Sequence, residues 1–135
     1  RSPRVSLGHF GGDSAAHGGD WTERMAQLMA RDNGKLVFGD LGYWAELRCA
    51  DVGPDRCAAA VRRLLGVLRT RLAGPEGVAD RVMFGSDWLM LSRERHWADY
   101  ATDLFNVLKT HAPEHVERIF GANALRCFPA LRPPA

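Results

Sequence analysis

Short apolar runs and amphipathic stretches alternate three times along this chain. Each round reads as a strand, a Gly-rich or polar turn, and a helix. In the first round, Arg4 to His9 is strand-like, and a two-residue period puts Val5, Leu7 and His9 on one face. Gly11 to Asp20 follows as a long loop. Asp20-Trp21-Thr22-Glu23 has capping-box spacing, with Asp20 as N-cap. Met25, Leu28 and Met29 then form a helical stripe that stops near Asn33-Gly34. In the second round, Lys35 to Leu41 predicts a strand with Leu36, Phe38 and Asp40 on one face. After the loop Gly42 to Gly53, Pro54 suits a first helical position. Cys57, Val61, Leu64, Leu65, Leu68 and Leu72 recur at helical spacing as far as Gly74-Pro75. In the third round, Val82 to Asp87 predicts a strand with Met83, Gly85 and Asp87 on one face. Ser92 is a candidate N-cap. Trp97, Ala101, Leu104, Phe105 and Leu108 form the next stripe, with Tyr100 at its side. Pro113 opens a short helix closed by Gly121, and Asn123 to Phe128 reads as a last helical turn before a Pro-rich tail over 129–135.

Repeated strand–helix alternation implies parallel strands joined by crossover helices. Strands this apolar expect cover on both faces. The helices supply one face. A closed barrel would supply the other, because its strands pack side chains into the interior. The expected face in this chain is bare and rich in Val5, Leu7, Leu36, Phe38 and Met83. Such a face, with open strand edges, invites association with another chain.

Composition narrows the class without choosing a function. The 135 residues suffice for one compact domain, and 46% apolar with 25% charged residues is ordinary for a globular protein. A net charge of +2, from 18 basic and 16 acidic residues, leaves no footprint for nucleic acid. Arg62, Arg63, Arg69 and Arg71 cluster on a helix pattern and read as a solvated face. No run is long enough to span a membrane, and no signal-peptide pattern appears, so the expected compartment is the cytoplasm. The three cysteines, Cys49, Cys57 and Cys127, lack CxxC spacing and read as reduced, mostly buried thiols. The start at Arg1 fits a fragment.

The candidate chemistry sits at strand ends. Asp87 ends the third strand, at the end where parallel α/β folds bind ligands. It could ligate a divalent cation or take a proton, or it could cap the segment that follows. Gly85 and Ser86 leave room for close approach. His9 ends the first strand and could ligate metal, act as general acid or base, or be a hydrogen-bonded structural residue. Asp40 has the matching position on the middle strand. Tyr43 and Trp44 could line a pocket or pack the loop, and Trp88 could form a pocket wall. His17 reads as a loop residue, and His96, His111 and His115 as surface residues. Ser86 lacks the spacing of a nucleophile elbow.

Four stretches together carry a family resemblance. They are Arg4 to Gly12, Leu36 to Trp44, Arg81 to Trp88, and Ile119 to Phe128, the last with a G-x-N-A-x-R-x-F pattern. In this order the chain resembles the C-terminal part of the amidohydrolase-related metal-dependent hydrolases, the branch with aromatic-acid decarboxylases and lactone hydrolases. The first three stretches are similar to that family's sixth, seventh and eighth barrel strands. The resemblance implies the C-terminal portion of a (β/α)8 TIM barrel, residues 1–135 forming one partial barrel domain with three parallel strands in sequential order. It implies that Asp87 ligates a divalent metal and that His9 assists catalysis beside it; Asp40, Tyr43 and Trp88 are expected in the substrate pocket from their positions at and after the strand ends. Strand spacing would put the His9 and Asp87 Cα atoms roughly 10 Å apart, flanking Asp40.

The family's first strand brings a His-x-His or Glu-x-His pair and its fifth another His, and neither segment is in this chain. The expectation is therefore divided. An intact parent would bind a divalent ion, zinc or manganese. It would hydrolyse a small amide, ester or lactone, or decarboxylate an aromatic acid. This chain alone would bind metal weakly or not at all and would lack activity. The expected partners are a small-molecule substrate and a second copy meeting the exposed inner face, with neither nucleic acid nor membrane. Two rivals stand beside this reading: a complete flavodoxin-like α/β ligand-binding module without metal, and an interaction protein whose apolar face pairs with another chain.

Overall fold

The computed structural model describes residues 3–10, 21–72 and 75–131. The loop before Trp21 with Asp20 and His17, Gly74, and residues 132–135 of the tail lie outside the described residues; the helix expected to run as far as Gly74 ends earlier, at Leu68, and leaves Leu72 beyond it. Three strands form one parallel sheet in sequential order: β1 (Val5–Leu7), β2 (Val37–Asp40) and β3 (Val82–Met83). Between and after them run α1 (Trp21–Ala30), α2 (Cys49–Val52), α3 (Pro54–Leu68), α4 (Trp88–Leu91), α5 (Tyr100–His111) and α6 (Asn123–Cys127). This is the α/β order read from the alternation of patterns. Among the described residues, no helix is long and apolar enough to cross a membrane.

One face of the sheet carries the main core. Val37 and Val82 from the strands pack with Met29 of α1, Leu64 and Leu68 of α3, and Leu104 and Leu108 of α5. Pro54 takes the first turn of α3, as its fixed φ favours. The α5 stripe is shifted from the expected one. Tyr100, Leu104 and Leu108 are buried, whereas Trp97 lies 52% exposed in the preceding 3-10 turn. Ser92 does not start that helix but ends α4, its hydroxyl donating to the Leu89 carbonyl.

The opposite face is not bare. Phe38 and Met83 are buried beneath Ala124 and Cys127, so α6 covers the apolar side chains there. The strand register also corrects the facing of β1. Ser6 pairs with Phe38 and Leu7 with Gly39. Paired residues in a parallel ladder share a face, so Ser6 faces inward, while Leu7 joins Val37 against the helix-side core. Val5 falls on that same side at the outer strand and stays 44% exposed.

The closing G-x-N-A-x-R segment is a clamp at the foot of β3. Buried Asn123 donates from its amide nitrogen to the Ala79 and Val82 carbonyls, both at 2.8 Å. Arg126 donates to the Asp80 carbonyl and to Glu76, which also pairs with buried Arg81. Just before α6, residues Arg118–Ala122 form a π-helical turn in which the Asn123 amide bonds back to the Arg118 carbonyl. That register takes the Asn123 amide away from the Ile119 carbonyl, which accepts from Phe84 N–H at 2.6 Å. The Met83 carbonyl bonds Leu41 of the middle strand, so the next amide points to the opposite edge. The π turn caps that edge, and β3 is shorter than the expected Val82 to Asp87.

The cysteine expectation holds for one residue. Cys127 is a buried free thiol, and burial pushes its pKa up. Cys49 and Cys57 form a disulfide that joins α2 to α3, with Cα atoms 5.0 Å apart. The two short-linked helices fold back at Gly53 and bring the thiols together, which spacing alone did not reveal.

Candidate active site

The site is built around the end of β2. Asp40 Oδ1 accepts from Gly42 N–H at 2.9 Å, an Asx turn that bends the chain as it leaves the strand. The same oxygen accepts from His9 N–H at 3.2 Å. Glycines make room for this carboxyl group. A Cβ on Gly42 would lie 2.8 Å from Asp40 Oδ1, and one on Gly85 would lie 3.0 Å from it. The space that Gly85 opens is thus filled by Asp40.

His9 lies past the end of β1, in a 3-10 turn over residues 8–10, with φ of 63°. That turn, rather than strand alternation, brings it to the inner side. Its Nδ1 lies 2.8 Å from the Gly42 carbonyl. A carbonyl can only accept, so Nδ1 carries the proton in this bond, and in the neutral ring Nε2 keeps its lone pair.

Asp87 also has a left-handed backbone, with φ of 45°. It occupies the N-cap position of α4, but its side chain makes no capping bond. The carboxylate instead faces His9, with Oδ2 3.7 Å from Nε2. His9, Phe10, Tyr43 and Asp87, four of the five non-glycine residues with positive φ among those described, lie at the three strand ends. Such strain persists only where surrounding contacts over-determine it, and it concentrates at functional sites.

These groups open onto a cleft of about 430 Å³ lined by Ser6, His9, Asp40, Met83, Asp87 and Phe128, among others. The structure thus brings His9, Asp40 and Asp87 together. Tyr43 and Trp88 are not among the cleft residues. Tyr43 donates to Glu94 Oε1 at 2.6 Å, and Trp88 stands 70% exposed. Trp44 is fully buried in the core. His96 and His111 are at the surface; His115 is largely covered, with its Nδ1 buried.

The loops around the cleft are held by residues that the sequence did not single out. Tyr100, buried on α5, donates to the Leu41 carbonyl and accepts from Trp44 N–H at 3.1 Å. Burial pushes its hydroxyl pKa far up, so it keeps the proton that it donates. Arg48 pairs with Glu94 at 3.2 Å and with Asp51, tying the loop after β2 to the segment after α4. The Tyr43 hydroxyl bond, with the Arg48 charge, holds the Glu94 carboxyl below its ordinary range against its desolvation. The Asp40–Gly42 pair had a sequence signal, Asp followed two residues later by Gly, which marks an Asx turn. Tyr100 and Glu94 had none, since both are distant along the chain.

The donor set can be tested against a divalent ion. Nε2 of a neutral His9 and the Asp87 carboxylate are both Lewis bases, and two bases facing each other favour a cation between them. Yet among the described residues, no group of three or more His, Cys, Asp or Glu side chains is placed to hold a metal. Two donors are fewer than a catalytic site needs, so these residues do not complete one.

Comparison with known proteins agrees with the fold. The amidohydrolase family model matches residues 2–130. No curated protein matches the chain. Among solved structures, the chain is similar to an amidohydrolase from Burkholderia multivorans with bound HEPES, at a TM-score of 0.60 and 19% identity. The match covers 94% of this chain and 45% of that one, so the chain spans less than half of that protein's length. The sequential parallel sheet, the strand-end site and the family match lead to one conclusion: the chain belongs to the amidohydrolase family, and its fold is a portion of the (β/α)8 barrel.

Proposed function

We propose that this chain carries one part of the active site of a metal-dependent amidohydrolase. The reaction is hydrolysis of a small amide, ester or lactone, or non-oxidative decarboxylation of an aromatic acid. Members of the family generally use divalent metals. Asp87 serves as a metal ligand, and His9 holds or moves a proton at Nε2 beside the substrate. The observation that carries this reading is the facing pair of bases, His9 Nε2 and Asp87 Oδ2, 3.7 Å apart at adjoining loop ends. The cleft supports a small-molecule substrate, because about 430 Å³ is within the range such ligands fill. The remaining donors belong to barrel segments that this chain does not carry. Alone, the chain binds zinc or manganese weakly and turns over little substrate.

Equilibrium dialysis against zinc tests the reading. Asp87→Asn and His9→Ala are each expected to weaken zinc binding by about tenfold or more. Affinity unchanged in both variants would overturn it.

A further inference from the structure

We infer that Asp40 is a positioning residue for His9, fixing both the ring's orientation and its tautomer. The inference rests on the reading of His9 as a catalytic group. Three hydrogen bonds close a ring. Asp40 Oδ1 accepts from His9 N–H at 3.2 Å and from Gly42 N–H at 2.9 Å, and the Gly42 carbonyl accepts from His9 Nδ1–H at 2.8 Å. One carboxylate oxygen therefore holds the backbone that carries the imidazole and the loop that receives its proton. With Nδ1–H committed to Gly42, Nε2 is left facing Asp87.

Packing cannot do this. The His9 side chain is 50% exposed, so its neighbours leave it free to turn. Its φ of 63° is disfavoured for a residue with a Cβ, and needs an attachment to persist. Bonds from amides to an ionised acceptor are the strong kind. The glycines at 42 and 85 reserve the space for this carboxyl group, because a Cβ on either would press on Oδ1. Although Asp40 lines the cleft, Oδ1 already serves two backbone amides, and its effect on substrate passes through His9.

Long-range proton–nitrogen NMR of the His9 ring tests this, at a pH where the ring is neutral and with no metal added. Omitting metal separates failure here from failure of the metal site. In the wild-type chain, His9 should show a single tautomer with the proton on Nδ1. Asp40→Asn, which keeps an oxygen acceptor, should retain that pattern. Asp40→Ala should lose it, giving the mixed tautomers of a solvated imidazole. A wild-type pattern in Asp40→Ala, or its loss in a folded Asp40→Asn, would overturn the inference. Should Asp40→Ala fail to fold, amide exchange in the wild type decides. His9 N–H should be protected despite its exposure, together with Gly42 N–H; free exchange at both overturns the inference.

Discussion

Asp87 stands where a capping residue would stand, yet its carboxylate turns away from the helix and towards His9. A strand-end acid before a short helix could have taken either course, and only the left-handed backbone, with the path of β1, separates them. Gly85 shows how tightly these positions are coupled. In Gly85→Ala, the new Cβ would sit 3.0 Å from Asp40 Oδ1 and 3.2 Å from Asp40 Cβ, so the Asp40 side chain must shift. The expected cost is about 1–3 kcal/mol, read by urea denaturation. An unchanged midpoint would mean that the carboxyl has room to spare. The sequence made His9, Asp40 and Asp87 legible as candidates because each ends or follows an apolar run. It did not show that Asp40 serves two backbone amides, since His9 is 31 residues away from it. Tyr43 could have lined a pocket or packed the loop, and Trp88 could have formed a pocket wall; Tyr43 bonds Glu94, Trp88 is exposed, and neither is among the residues lining the cleft.

At the scale of elements, strand order and the start and body of α3 could be read directly, because Pro54 and the apolar stripe mark them; its end could not, since α3 stops at Leu68 and Leu72 lies beyond it. The facing of β1 could not. Leu7 and His9 share a parity, but the chain leaves the strand after Leu7, and a turn over residues 8–10 breaks the two-residue period. The closing motif was legible as a family mark but not as a clamp. Its work centres on Glu76, which joins Arg81 and Arg126 at 2.9 Å and 2.6 Å. Burial works to raise the Glu76 pKa, but the two guanidinium groups outweigh it and hold the carboxyl below its ordinary value of 4.5. A carboxyl whose pKa is lower in the folded state stabilises the fold above its unfolded value. That contribution is lost as pH falls through the folded value. Glu76→Gln should therefore cost about 1 kcal/mol at neutral pH, partial exposure reducing the effect. The gap between wild type and variant should close as the pH drops below 4.5, as read from melts over an acid series. A gap that stays constant with pH would show that these ion pairs contribute no stability.

The whole molecule is a run of parallel strands from a barrel, with helices packed on the outer face and α6 drawn over the inner one. A bare inner face was the natural expectation for strands without their barrel partners. The clamp at Asn123 supplies the missing cover by holding α6 against Phe38 and Met83. At the strand ends lies a cleft in which the His9 ring and the Asp87 carboxylate face each other. The proposed function requires that those two groups act together on a cation. Zinc titration followed at the His9 ring nitrogens measures this directly. Zinc should move the Nε2 resonance of His9 before that of any other histidine, leave the proton on Nδ1, and lose this effect in Asp87→Asn. A zinc response at other histidines with His9 unmoved, or a His9 response that persists unchanged in Asp87→Asn, would contradict the account.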